Sequence, residues 1–294
     1  MTIDLTAVPA PQVLESLDFE VMYEAALAQF REYMAENWSA ALESEPVVVL
    51  LELIAYWRVQ DRARVNDAAK ALLLAYAKGK DLDQLAANVG LLRLVVQAED
   101  LAAVPPVAEV LEEDDALRER VQLVYEGLTT AGPRNSYILH ARNASGLVAD
   151  ATAESPSPAV VDLTVLSLVG DGTADAELLA TVDAQVNDDD VRPVADRVNL
   201  RSAQILPYQI EAVVYLASNG PEGEAVLAEA KRRLEAWKNP RRRLGVEVSR
   251  SAIDAQLHVD GVSRVEVNGW NDIRPTNAQA AWCTGVTVTR GVLP

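Results

Sequence analysis

The chain has one cysteine, Cys283, so no disulfide can close within it, a usage that suits a reducing compartment. It has only two histidines, His140 and His258, and neither has another His or Cys within five residues. A zinc site draws about four ligands at short spacings, so both are expected to be packing or surface residues. Basic residues are in deficit: 26 Lys and Arg stand against 44 Asp and Glu, a net charge of −18. Duplex binding needs a basic face, so no nucleic-acid partner is expected; the acidity instead favours solubility and basic protein partners. Apolar runs such as Val47–Leu51 are far too short to span a bilayer, so no membrane insertion is expected. The opening MTIDLTAVPAPQVLESLDFE has neither a basic n-region nor an apolar h-region, and no signal peptide is expected. There is no Gly-x-Ser-x-Gly elbow. Val169-Gly170-Asp171-Gly172-Thr173 lacks both the third glycine of a dinucleotide fingerprint and the Gly-Lys-Ser/Thr of a P-loop, and reads as a turn. Cys283 has no neighbouring base and reads as a small buried residue.

Half of the residues are hydrophobic and about a quarter charged, a composition that folds; 294 residues suffice for two or three domains. Residues 1–18 look extended, punctuated by Pro9 and Pro11. A helical pattern follows from about Asp18 to Trp38. Pro46 then fits the first position of a longer helix, where its missing N–H costs nothing. Val47, Leu50, Leu51, Ile54, Trp57, Val65, Leu72 and Tyr76 continue at helical spacing, predicting a helix to Lys78 of roughly 45 Å. Gly79 is expected just past its end in the left-handed conformation. Asp81, with Gln84 three residues on, forms a candidate capping box for a short helix that buries Leu82 and Leu85 and ends at Gly90. The stretch therefore reads as a helix–turn–helix corner.

Residues 96–112, with Pro105-Pro106, read as a linker. The EEDD at 112–115 reads as a charged helix start, favoured by the macrodipole, with Leu117, Val121, Val124 and Leu128 inward. Beyond it helix and strand patterns alternate: a helix capped at Asn135 or Ser136, strands at 148–154 and 159–169, a helix at 173–186, strands at 195–206 and 208–216, a helix after Gly220-Pro221, a helix capped at Ser249 or Ser251, and strands at 262–268 and 284–290. ADRVNLRSA (195–203) echoes GVEVSRSA (245–252), either as duplicated α+β units or as two ordinary strands of similar composition. The expected fold class is α+β: an all-helical region at 1–105, then two small α+β domains at 106–204 and 205–294.

Two charged clusters need a reading. Asp188-Asp189-Asp190 could hold a cation, but calcium loops alternate their ligands around a glycine, so a solvated loop fits better. Lys231, Arg232, Arg233, Lys238, Arg241, Arg242 and Arg243 crowd into thirteen positions of an acidic chain. They either decorate a helix C-terminus or form a docking patch for an acidic neighbour.

Four stretches together resemble the baseplate J family, the J-type wedge proteins of contractile-tailed phages and R-type pyocin-like bacteriocins. They are LESEPVVVLLELIAYWRVQDRARVNDAAKALLLAYAKGKDLDQLAANVGLLRL (42–94), DDALRERVQLVYEGLTTAGPRNSYILHARNASGLVADATAESPSPAVVDLTVLS (114–167), DDVRPVADRVNLRSAQILPYQIEAVVYL (189–216) and RRLGVEVSRSAIDAQLHVDGVSRVEV (242–267). The resemblance implies a non-enzymatic subunit with no catalytic residues and no cofactor or metal. It implies pairing with a second copy and an I-type tail protein, neighbouring wedges around a hub and spike, and a connection to the sheath. Assembly would take place in the bacterial cytoplasm, and the chain would end up in the extracellular tail particle after lysis. It also implies that the N-terminal helices join a bundle shared with partner chains and that the C-terminal domains link neighbouring wedges. The apolar residues of 47–85 would then face partners, although periodicity alone fits packing within one chain equally well. The alternative of another class is an acidic metal-dependent hydrolase built on Asp188–Asp190.

Overall fold

The structure is a computed structural model that describes residues 4–9, 11, 13–35, 38, 42, 45–128, 132–217, 220, 222–239 and 243–291. The chain divides into two compact units, Thr2–Leu92 and Arg93–Pro294.

The first unit is helical. After a short 3-10 turn at Leu5–Ala7, Asp18 caps α1 (Phe19–Met34), its carboxylate accepting the Val21 N–H at 3.2 Å. α2 (Pro46–Ala71) packs against α1, and the pair buries Met22, Ala26, Val48, Leu51 and Ala55. The segment before α1 is tied to the far half of α2. Buried Asn66 donates to the Glu15 carbonyl at 2.9 Å and accepts its N–H at 3.0 Å, and Arg62 pairs with the Glu15 carboxylate at 2.8 Å. At the other end the Phe30 and Trp38 rings meet edge to face, and the Trp38 indole donates to Glu45.

α2 stops at Ala71, short of the expected Lys78. Leu73 bonds back to the Lys70 carbonyl and Tyr76 to that of Leu73, so the chain tightens into turns and tucks Ala77 inside. Apolar residues at helical spacing thus continue past the end of the helix. Gly79 keeps its left-handed φ of +50°, but as the first residue of α3 (Gly79–Ala87). The N-cap is Lys78, without a side-chain bond; Asp81 lies in the first turn rather than capping it. α3 ends as expected. Gly90 takes φ +76°, its N–H returns to Ala87 and that of Leu91 to Ala86, the paired bonds of a Schellman motif.

The second unit is α+β. The expected linker is an ordered antiparallel ribbon of β1 (Val95–Gln97) and β2 (Val110–Leu111), continued by a bridge between Asp100 and Val107. The expected boundary at 105 falls inside it. α4 (Asp114–Leu123) follows and buries Leu117, Val121 and Leu123. The 3-10 turn at Val124–Leu128 leaves Leu128 three-quarters exposed, so the expected stripe ends early. α5 (Arg134–Ala144) starts from Pro133, because Ser136 is itself buried within the helix instead of capping it.

Two three-stranded sheets form the bulk. In the first, β4 (Val160–Ser167) lies between antiparallel β3 (Val148–Ser157) and parallel β5 (Arg197–Ser202), with α6 (Ala176–Val186) as the crossover. Asp175 caps α6 through the Leu178 N–H. Leu163, Val165, Val182 and Val186 fill the core between this sheet and α5 and α6. In the second, β6 (Gln204–Leu216) lies between antiparallel β7 (Val262–Val267) and parallel β8 (Gln279–Gly291). Tyr208, Ile210, Ala212, Val214 and Leu216 alternate inward onto α7 (Glu222–Lys238) and α8 (Arg250–Leu257). Ser249 caps α8 through the Ala252 N–H. The break between the expected strands 195–206 and 208–216 falls at Ala203, not at Pro207. β7 pairs with β6 only from Ala212 onward, so a proline at 207 forfeits no ladder bond on that side.

The sequence echo does not align equivalent structure: 197–202 is strand β5, whereas 250–252 opens α8. What recurs is architecture, a central strand with one antiparallel and one parallel neighbour. Ile210 is fully buried at the centre of the second core. Ile210→Ala should lower the unfolding free energy by about 2–5 kcal/mol, read by urea denaturation; a loss below ~1 kcal/mol would show that the core collapses to fill the gap.

Candidate functional site

α2 opens with PVVVLLELIAYW, apolar on nearly every side. A helix of that kind needs cover on more than one face. α1 covers one. Val48, Leu51 and Ala55 are buried, while Val49, Leu50, Leu53, Tyr56 and Trp57 each remain about 40–55% exposed. Their spacing places them on one stripe of the helix. Of the sequence-predicted interface residues, Leu50 and Trp57 lie on this stripe, Leu51 faces inward, and Val47 and Ile54 sit half-buried between the two. Val49, Leu53 and Tyr56 belong to the stripe and were missed; the run of apolar residues on every face of the helix was the available signal. Leu72 is exposed, Tyr76 and Leu85 are half-buried, Asp81 is exposed, and Leu82 is wholly buried. Leu82 therefore serves the fold of its own unit.

The basic cluster divides. Lys231 and Arg232 are exposed on α7, and Arg232 makes two bonds to Glu229 of its own helix, at 2.7 and 2.8 Å. Lys238 pairs with Glu235 in the same way. Arg233 lines a groove of about 510 Å³ with Ala225, Val226, Glu229, His258, Val259 and Asp260. Arg241 and Arg242 lie outside the described residues. Arg243 is committed within the chain. It donates to the Ala149 carbonyl at 3.1 Å and to Glu119 Oε1 at 2.8 Å, and it lies 3.8 Å from Asp150 Oδ1. The other Glu119 oxygen holds Arg142 at 2.8 Å. The Leu244 N–H donates to Asp150 Oδ2 at 3.0 Å.

The remaining titratable groups form structure. Asp188 closes a turn, accepting the Asp190 N–H on its side chain and the Val191 and Arg192 N–H groups on its carbonyl. Among the described residues no group of three His, Cys, Asp or Glu side chains is close enough to hold a metal ion. Burial pulls His140 below its ordinary value and pushes the Cys283 thiol up. Of the EEDD run, Glu112 is not a solvated helix start. It is buried, and its Oε2 accepts from Arg120 and from the Leu94 N–H. Arg120 also reaches Asn143, and Arg93 bonds the Glu112 carbonyl and Asp114. This network fastens the ribbon base to α4 and α5. Burial lowers the Arg120 pKa, and Glu112 opposes that shift.

Among the described residues the arrangement is one of surfaces and joints. Residues 43–100 match the baseplate J-like N-terminal domain, and residues 129–202 match the baseplate J-like central domain. The chain is 45% identical over 296 residues to baseplate protein J of Escherichia phage P2, covering 98% of each. The chain belongs to the baseplate J family. It is a structural baseplate protein and not an enzyme, which sets aside the hydrolase alternative at Asp188–Asp190. Among the described residues no helix of this baseplate protein is long and apolar enough to cross a membrane.

Two measurements test the joints. Arg120→Met leaves a buried Glu112 carboxylate uncompensated and should cost about 3–5 kcal/mol. Adding Glu112→Gln removes that charge and should recover part of the loss; strictly additive losses in urea unfolding would mean the two groups do not interact. The Asp150 carboxyl is raised above its ordinary value by burial, against the pull of Arg243 and the Leu244 N–H. Its folded form therefore binds a proton more readily than its unfolded form. The resulting stability is full below the unfolded value and is lost as pH rises through the folded one. The stability of the native chain relative to Asp150→Asn should thus fall as pH rises across that acidic window, and a difference independent of pH would remove the assignment.

Proposed function

We propose that this protein is a wedge subunit of a contractile tail, of a phage or of a phage-tail-like bacteriocin. It pairs with a second copy and an I-type tail protein, and the wedges surround the hub and spike and connect to the sheath. Assembly takes place in the bacterial cytoplasm, and the protein leaves the cell as part of the particle. The helical first unit serves the shared bundle, the lobe built on β3, β4 and β5 forms the middle domain, and the lobe built on β6, β7 and β8 reaches neighbouring wedges.

The observation that carries this reading is the uncovered stripe on α2. Fully burying a side chain of the size of Leu50 is worth roughly 1.5–3 kcal/mol, and covering the half that is still exposed about half of that. Five such side chains in a row are a surface that partner helices would stabilise. Gly79, Leu72 and Tyr76 lie where the chain turns away from α2, so partners there would meet a fixed corner. Lys231 and Arg232 are exposed and Arg233 half-buried, cations offered to an acidic neighbouring surface, and Arg241 and Arg242 extend the same basic run in sequence.

The test is co-expression with the neighbouring tail proteins followed by mass analysis of what co-purifies. The native chain is expected in a complex holding two copies and one I-type partner. Leu50→Asp/Trp57→Asp should abolish that complex while leaving the melting temperature of the chain alone within a few degrees, because both side chains are already exposed. A complex that survives both charges would sink the α2 interface, and a chain that co-purifies with no tail protein would sink the wedge reading.

A further inference from the structure

The two sheets of the second unit have separate cores but are joined directly. The chain passes from β5 to β6 through Ala203 alone. That residue is held on both sides: its N–H bonds to Val165 of the first sheet, and the next N–H, of Gln204, bonds to Ala278 beside the second. Ala203 is therefore a fixed pivot and not a slack linker.

What closes the joint around the pivot is mostly polar. Among the described residues the first core holds twelve buried hydrophobic residues and the second sixteen, whereas the cluster between them holds four: Leu166, Ala203, Leu244 and Ala280. Partly buried Ala149 and Ile205 pack against that cluster, and the other contacts described below are directional. Arg243 reaches across to Ala149, Glu119 and Asp150, and the Leu244 N–H reaches Asp150. The Thr152 hydroxyl donates to the Asn277 carbonyl, and the Asn277 amide to Glu154. Gly245, at φ +71°, turns the strap 243–245 back toward β8, where its N–H meets the Gln279 carbonyl. Apolar interfaces resist opening in proportion to their area, whereas charge-assisted hydrogen bonds are discrete and, once broken, are partly replaced by bonds to water or other partners.

We propose that the strap 243–245 is a latch within the subunit. With Arg243 seated on Glu119 and Ala149 the two α+β lobes are fixed; with Arg243 released they turn about Ala203 while each core stays intact. In the particle, which rests on the wedge reading, this places a moving joint inside each subunit rather than at the contact between neighbours. Glu119 makes the latch sensitive to its surroundings, because the same carboxylate also holds Arg142 and only half of it serves Arg243.

Hydrogen exchange on the full chain tests the latch without the particle. Arg243→Gln should speed exchange of the Leu244 and Gln204 amides by about tenfold or more, the factor that one lost charge-assisted bond represents, with β4 and β6 core amides unchanged. Arg243→Lys, which keeps the charge but not the fork, should fall between. Unchanged exchange in both variants, or equal acceleration throughout both cores, overturns the latch. In the particle, Thr152→Cys/Asn277→Cys is joined by a short cleavable thiol crosslinker, with the lone native Cys283 buried. Crosslinked particles should assemble but fail to contract until the link is cleaved. Normal contraction while linked overturns the moving joint, whereas absence of the chain from purified particles overturns the wedge reading and leaves the latch to the exchange result.

Discussion

One helix cannot bury two opposite faces against a single neighbour. α2 is apolar around most of its circumference over its first three turns, and α1 offers only one surface to it. The rest of the first unit follows from that imbalance. Asn66, Arg62 and Glu15 spend polar contacts on seating the N-terminal segment against the distant half of α2. The half that opens the helix is left with Val49, Leu50, Leu53, Tyr56 and Trp57 outward. A lone chain gains nothing from that arrangement, since exposed apolar stripes of this kind invite association. A covering chain is what the proposed function supplies, and membership in a family of baseplate proteins is consistent with it.

The second unit solves the opposite problem. Its apolar residues are spent inside two separate cores, and its connections are made with charge. Glu112 and Arg120 are buried together, with Asn143 and the Leu94 N–H as further hydrogen-bond partners. A buried pair of this type adds little net stability against apolar residues of the same volume, but leaving one partner alone is expensive. It therefore fixes one geometry at the ribbon base. Arg243 and Glu119 are shared and partly exposed, and they fix the lobes less stringently. The same chemistry thus gives a permanent fastening at one place and a releasable one at another, and burial decides which.

Local patterns in the sequence were reliable where one element decided the outcome. The strand signal at 208–216, one of the two candidate caps of α8 (Ser249) and the Gly90 stop all depend on neighbours within a few residues. Reading failed where tertiary context overrode a local preference. Leu72 to Tyr76 keep helical spacing but turn so that Ala77 can be buried. Pro207 marks a break in most strands, yet β6 runs through it because β7 does not extend that far. The site was legible as a helix and not as a surface: periodicity placed Leu50, Leu51 and Trp57 on α2 but could not say which α1 would cover. The partners of Glu112 and Arg243 were invisible, because Arg243 finds Glu119 across 124 positions and no local pattern carries that pairing.

A mechanical part has to be strong in some directions and compliant in others, and these two demands map onto different interactions. Hydrophobic burial is non-directional and scales with area, so it suits contacts that must persist through a change of shape. Hydrogen-bonded ion pairs are directional and discrete, so they suit contacts with distinct closed and open states. In this chain the large apolar areas lie within the two cores and along the outward face of α2. The sparse, polar contacts lie around Ala203. A force applied to such a chain would leave the cores intact and act first where the smallest apolar area must be exposed. That place is the strap at 243–245, which sits beside the single residue joining the sheets.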